Sequence, residues 1–210
     1  MGIFVSYPMK RYSYIVVSGL FLLFNSFRLS DGNPAFFSLL NSMGMKFTKP
    51  ANTIEVKCIQ NDELNYQYAI KDTVTNIEIR YSVFPFQKLV EEYNGPHPDT
   101  GLSRIDPNFL HTNYLFAIAN KIQGKEMNMD ALPEVKELSH ATVDLEFNAD
   151  WGAETTVQPC DEFAQKYKYC TIFEMHKDNI ADVFIMYLYD DKDTFDESIK
   201  PDFHSLTFKK

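Results

Sequence analysis

Three short segments carry side chains that could act together chemically. His97 and Asp99 lie in the loop from Gly95 to Gly101, and His176 and Asp178 flank Lys177 at the start of a polar turn. An imidazole beside a carboxylate is the pairing of a general base with the acid that orients it, and loops hold such pairs more often than cores do. The third segment is Asn148-Ala149-Asp150-Trp151-Gly152-Ala153, where the only Trp of the chain stands beside a carboxylate and a flexible Gly. An indole lip next to Asp150 suits a sugar ring or a cation. Each segment also has a structural reading: a surface loop bracketed by Pro96 and Pro98, a turn held by a side-chain hydrogen bond, an indole pinning a loop to the core. His111, His140 and His204 stand apart from these pairs and read as solvated or singly bonded side chains.

Other chemistries lack their parts. There is no G-x-S-x-G for a nucleophile elbow, and neither G-x-G-x-x-G nor G-x-x-x-x-G-K for a phosphate cradle. No catalytic residue, metal ligand or cofactor is therefore assigned. The cysteines are Cys58, Cys160 and Cys170, without the close C-x-x-C pairing of a zinc site. Cys160 and Cys170 close a short loop that a disulfide would stabilise by about 2 to 3 kcal/mol in an oxidising compartment. Cys58 continues the alternation of Ile54 and Val56 and is expected to be a buried strand residue.

These side chains need a scaffold, and composition says which kind. With 210 residues, 45% apolar and 23% charged, the chain can bury one sizeable core. Twenty basic against 29 acidic residues leave a formal charge of −9, which repels a phosphate backbone and argues against a nucleic-acid partner. The acidic excess lies wholly beyond residue 30, since residues 1–30 hold Lys10, Arg11 and Arg28 and no acid. That basic start precedes an apolar run from Ile15 to Phe24, the layout of an export signal. The run is shorter than the roughly 20 residues a membrane-spanning helix requires. The expectation is a signal over 1–30, a leader or linker over 31–42, and one domain over 43–210; an uncleaved membrane anchor is the alternative.

Within the domain, period 2 marks strands near 43–47, 53–60, 65–71 and 77–83. Ile77, Ile79, Tyr81 and Val83 face one side there, with a wetter side of Glu78, Arg80 and Ser82. Phe86, Leu89, Val90 and Tyr93 fall at helical spacing. Asp106 and Pro107 open a second helix along Leu110, Tyr114, Ala117, Ile118 and Ile122, which Gly124 ends. Residues 134–149 favour a helix ending near Asn148. Residues 169–176 and 180–190 are strands joined at Lys177-Asp178-Asn179, the second apolar on both parities and hence central in a sheet covered on both faces. A helical turn near 195–201 and a strand-like tail over 205–209 close the chain. Strands, then helices, then strands describe an α+β fold: an antiparallel β-sheet covered by helices.

Three of these segments, Met45 to Pro50, Ala181 to Asp191 and Phe203 to Phe208, together resemble the PsbP, Mog1 and DcrB type of α/β sandwich. Such proteins open with a strand running into Pro and finish with a strand, a helix and a Ser-x-x-Phe tail. The resemblance implies a non-enzymatic binding or assembly scaffold, often exported or organelle-targeted, and carries over no catalytic residues. The expected function is an exported, soluble, non-catalytic domain that binds a small molecule or protein partner in the cell envelope. The alternative is a small hydrolase or metal-dependent enzyme using His97, Asp99 and Asp150, or His176 and Asp178.

Overall fold

A computed structural model describes residues 33–59, 64–96, 105–126, 132–196 and 204–210. The expected export signal over 1–30 and the His97/Asp99 loop lie outside them. The element order is α1 (Asn33–Ser42), β1 (Met45–Phe47), β2 (Thr53–Glu55), β3 (Tyr68–Asp72), β4 (Glu78–Pro85), α2 (Gln87–Asn94), α3 (His111–Ile122), β5 (Lys136–Glu137), α4 (His140–Thr142), β6 (Trp151–Val157), α5 (Asp161–Ala164), β7 (Tyr169–Lys177), β8 (Ala181–Tyr189) and β9 (Leu206–Phe208). A 3-10 turn over Pro107–Phe109 leads into α3, and a π turn over Val143–Phe147 continues α4. Seven strands form one antiparallel sheet in the order β2-β3-β4-β8-β7-β6-β5, and β1 pairs with β9 beside it. Helices cover the sheet on both faces, so the fold is the expected α+β arrangement.

β8 explains the sheet. Buried at all nine positions, it pairs with β4 through Glu78↔Leu188 to Pro85↔Ala181 and with β7 through Tyr169↔Tyr189 to Lys177↔Ala181. Because successive side chains alternate faces, these registers sort the core. One face carries Ile79, Tyr81, Val83, Phe173, Met175, Val183, Ile185 and Tyr187, packed against α1, the π turn and the β1–β9 pair. The other carries Arg80, Ser82, Cys170, Ile172, Glu174, His176, Asp182 and Phe184, all buried, and α3 lies over it with Tyr114, Leu115, Ile118 and Ile122 buried.

Several sequence expectations change here. Residues 33–42 are a helix rather than a linker: Phe36 stacks on Tyr68 at 4.8 Å, and Leu40 is as buried as Phe36. Phe36, Leu39, Leu40 and Met43 stand at i, i+3, i+4 and i+7 and turn one face to the core, and the Asn33-Pro34 pair that resembles a loop turn stands at the start of the helix. The wetter side expected of β4 is dry. Arg80 is 1% exposed, with its guanidinium 4.7 Å from the ring centres of both Tyr66 and Phe163. It donates to Glu78 at 2.7 Å and to the Phe163 carbonyl. Trp151–Val157 is a full strand that the hexapeptide reading passed over. The cysteines form no disulfide: Cys160 sits at the entry to α5, where its backbone N–H donates to the Ile122 carbonyl. Cys170 is buried within β7, and Cys58 is half-buried just past β2.

Two glycines are held by their surroundings. Gly124 ends α3 at φ +63°, and a Cβ there would lie 3.1 Å from the Cβ of Cys160. At Gly152 a Cβ would meet the Glu174 carbonyl and Val143, each at 3.2 Å, so the π turn can press onto β6 only over glycine.

Phe36→Ala should destabilise the domain by about 3 to 5 kcal/mol in denaturant unfolding. A loss below about 0.5 kcal/mol, as for an exposed linker residue, would show that α1 is not part of the folded body.

Candidate functional site

The densest group of titratable side chains forms at the end of the β7–β8 hairpin. Register sets it: Trp151 pairs with His176 across β6 and β7, and His176 pairs with Asp182 across β7 and β8. All three project to the face that α3 covers. Glu174 lies two residues before His176 on that same face, diagonal to Asp182. The turn after β7 has Asn179 at φ +61°, a left-handed conformation that Asn tolerates.

Four predicted site residues meet here. His176 bonds Asp182 through Nδ1 at 2.6 Å and Asp178 through Nε2 at 3.0 Å. Asp150 clamps the turn, with one carboxylate oxygen accepting from the Asp178 N–H at 2.8 Å and the other from Lys177 Nζ at 3.1 Å. Trp151 lies against His111, ring centres 4.4 Å apart, and His111 against His176 at 4.5 Å. Phe86 also packs on His176, ring centres 5.6 Å apart. His111 Nδ1 donates to the Asn108 carbonyl at 2.8 Å, which leaves Nε2 as the acceptor. Asn108 in turn exchanges two hydrogen bonds with Asn179, tying the entry of α3 to the hairpin turn.

Burial sets the electrostatics. The His176 side chain is 1% exposed, as is that of Asp182, whereas that of Asp178 is 59% exposed. Burial disfavours a charged imidazole, but hydrogen bonds and charge from Asp182 and then Asp178 outweigh it and raise the pKa of His176. Burial pushes Asp182 up to about 6, against the pull of His176. Glu174 is held well above the usual carboxylate range, first by burial and then by the Asp182 charge. Neither Glu174 oxygen, nor Oδ2 of Asp182, has a hydrogen-bond partner among the described residues. An ionised Glu174 would face a large desolvation penalty, so the neutral acid is the stable form. Burial and the nearby His176 lower the pKa of His111 and keep it neutral.

The result is a chain from water to a sealed acid pair: exposed Asp178, His176, Asp182, with Glu174 alongside. It can hold a proton between His176 and its two carboxylates, and the hydrogen bonds end at Asp182 without reaching Glu174. It offers no imidazole nitrogen to a substrate, because both nitrogens of His176 already face carboxylates. No group of three or more His, Cys, Asp or Glu side chains among the described residues is placed to hold a metal ion.

Sequence reasoning missed Glu174, Asp182 and His111. An acid inside a strand apolar on both parities was a usable signal for Asp182, since Asp is almost never fully buried unless paired. His111 left no such trace, because its neighbours come from strands far away in sequence.

A second feature lies toward the other end of β6. A cleft of about 360 Å³ is lined by Thr156, Thr171 and Tyr189 at its base and by Phe195, Lys192, Lys136 and acidic side chains around it. The Thr156 and Thr171 hydroxyls are 2.8 Å apart, and Thr171 and Tyr189 are 3.0 Å apart. A neighbouring hollow shares Glu134 and Thr156 with it and extends toward Gln123 at the end of α3.

The raised groups settle a pH dependence. Glu174, Asp182 and His176 all bind protons more tightly folded than unfolded, so each contribution is complete only below the unfolded value, near 4 for the two acids and 6.5 for the imidazole, and is lost as pH rises from there through the folded value. His111, lowered, opposes them alone. Denaturant unfolding at pH 5.5 and pH 8 should show higher stability at the lower pH, with a smaller difference in Glu174→Gln; a stability rising steadily over that range would contradict the assignment. Burial also pushes the Cys170 thiol up to about 12, so iodoacetamide should leave it unmodified until the protein unfolds, with mass mapping as the readout. Set beside known proteins, the chain matches no family model and no curated protein, and its functional reading rests on the geometry of these groups.

Proposed function

We propose that this chain is an exported, non-catalytic binding domain of the cell envelope, carrying a small-molecule or protein partner on its α+β body. The observation that supports this most is the closure of its richest chemical cluster. His176 and Asp178 stand within hydrogen-bond reach, as an acid–base enzyme would require, yet His176 is buried with both nitrogens bonded to carboxylates. A general base needs a lone pair directed at the substrate proton. Asp150, the other candidate, is engaged by Lys177 and the Asp178 backbone and serves as a turn clamp. The open concave surface is instead lined by hydroxyls and charges of both signs, the lining of a recognition site rather than of a nucleophile with its base.

Export rests on the basic and apolar start of the chain. The PsbP, Mog1 and DcrB resemblance favours the same role. Among the described residues no helix is long and apolar enough to cross a membrane.

Cell fractionation with intact-mass measurement tests the proposal. The expected product is found in the envelope or secreted fraction and lacks about its first thirty residues. A full-length product confined to the cytoplasm would overturn export, and one extractable only by detergent would turn the reading toward an anchored protein. His176→Asn should lower the melting temperature; a variant that stays as stable as the parent but loses a measurable hydrolytic activity would make the domain an enzyme.

A further inference from the structure

We propose that the cleft between β6 and the helical turn over 192–196 binds a neutral polyhydroxylated molecule of mono- or disaccharide size. The inference rests on the binding-domain reading and names the site and ligand class for it.

The base of the cleft carries the argument. Thr156, Thr171 and Tyr189 sit on three adjacent strands, β6, β7 and β8, and their hydroxyls form one chain. Each hydroxyl has one proton and two lone pairs. Thr156 also reaches the Tyr189 hydroxyl, so the three protons can be shared among the three groups while lone pairs are left over, and a rotating hydroxyl can turn its proton to a ligand. A surface that donates and accepts through rotatable hydroxyls matches a ligand made of hydroxyls.

The chain is also held in place. Thr171 is 5% exposed, and the Tyr189 ring stacks on Phe195 at 4.2 Å and on Tyr169 at 5.6 Å. Little order is lost when a ligand arrives, which favours affinity for a small polar molecule.

Charge argues against ionic ligands. Lys136 is paired with Glu154 at 2.8 Å, and the Lys192 ammonium lies 4.8 Å from the centre of the Tyr169 ring. Glu134 and Asp196 complete the charged lining, so an anion meets three carboxylates and a cation meets two ammonium groups. A volume of about 360 Å³ falls at the lower end of small-ligand pockets, too small for a long oligosaccharide to be enclosed.

The test is a titration of the isotope-labelled full-length chain with glucose, mannose, N-acetylglucosamine and maltose, followed by amide NMR spectra. At least one sugar should shift the amides of Thr156, Thr171 and Lys192 saturably, while glucuronate and glucosamine bind more weakly. Thr171→Val should weaken binding about tenfold by removing the central hydroxyl. Thr156→Ala, at an exposed position, should weaken it in the same direction and decides the matter if Thr171→Val does not fold. Absence of a saturable shift in the cleft with all four sugars, or unchanged affinity in Thr156→Ala, would overturn the inference. Saturable shifts confined to another surface would overturn this site and leave the binding-domain reading intact. Conversion of the sugar to new signals in the same spectra would end the non-catalytic reading and leave the ligand class standing.

Discussion

The central strand β8 is covered on both faces along its whole length, and every polar side chain on it or beside it must find its partner inside the protein. Arg80 on β4 meets the constraint with two aromatic faces, a carboxylate and a main-chain carbonyl. Such a guanidinium is tolerable in a dry layer because nearly every side of it is occupied. It fixes α5, through Phe163, to a strand more than eighty residues away in sequence. His176 meets the same constraint by lying between two carboxylates. Glu174 is the exception: neither of its oxygens has a partner among the described residues, and burial holds it protonated so that at least no charge is left unpaired.

The hairpin that carries these groups also ties distant parts of the chain together. Its turn is clamped by Asp150 from the start of β6 and by Asn108 from the entry of α3. The ring row of Trp151, His111, His176 and Phe86 then seals the sheet end. What looks in the sequence like a scatter of functional residues is therefore, at this end, a closure device. The open surface lies where coverage stops, at the short β5 strand and the end of β6, and polar groups there still face water. That division between a sealed end and an open end is the physical basis for reading the domain as a binder.

Much of the scaffold could be read from local pattern. The strand runs of β3, β4, β7 and β8, the Asp106 cap and Pro107 start of the 3-10 turn that leads into α3, the Gly124 stop and the Asn179 turn all act within a few residues, and all appear in the structure. Failures came where local pattern was mixed or overridden. β6 places Thr, Gly and Glu among its apolar positions and gains strand form from β7 beside it. The stretch from His140 to Phe147 mixes helical and strand preferences and resolves as one α turn running into a π turn, closed by Asn148 in the left-handed region.

The candidate site divides the same way. Proximity in sequence was enough to find His176 with Asp178 and Asp150 with Trp151, because a hairpin turn keeps such neighbours together. It could not find Asp182 and Glu174 as diagonal neighbours, nor His111 between Trp151 and His176, nor the hydroxyl chain of Thr156, Thr171 and Tyr189. Those contacts depend on strand register and on where one helix lands on the sheet. Hydrophobic period and turn chemistry are properties of a short stretch of chain, so composition and spacing alone settle the fold class and most of its elements. Which side chains become neighbours, and which of them lose water, follows from pairing between segments far apart, and so packing alone made one polar cluster a sealed hydrogen-bonded chain and set another beside a cleft.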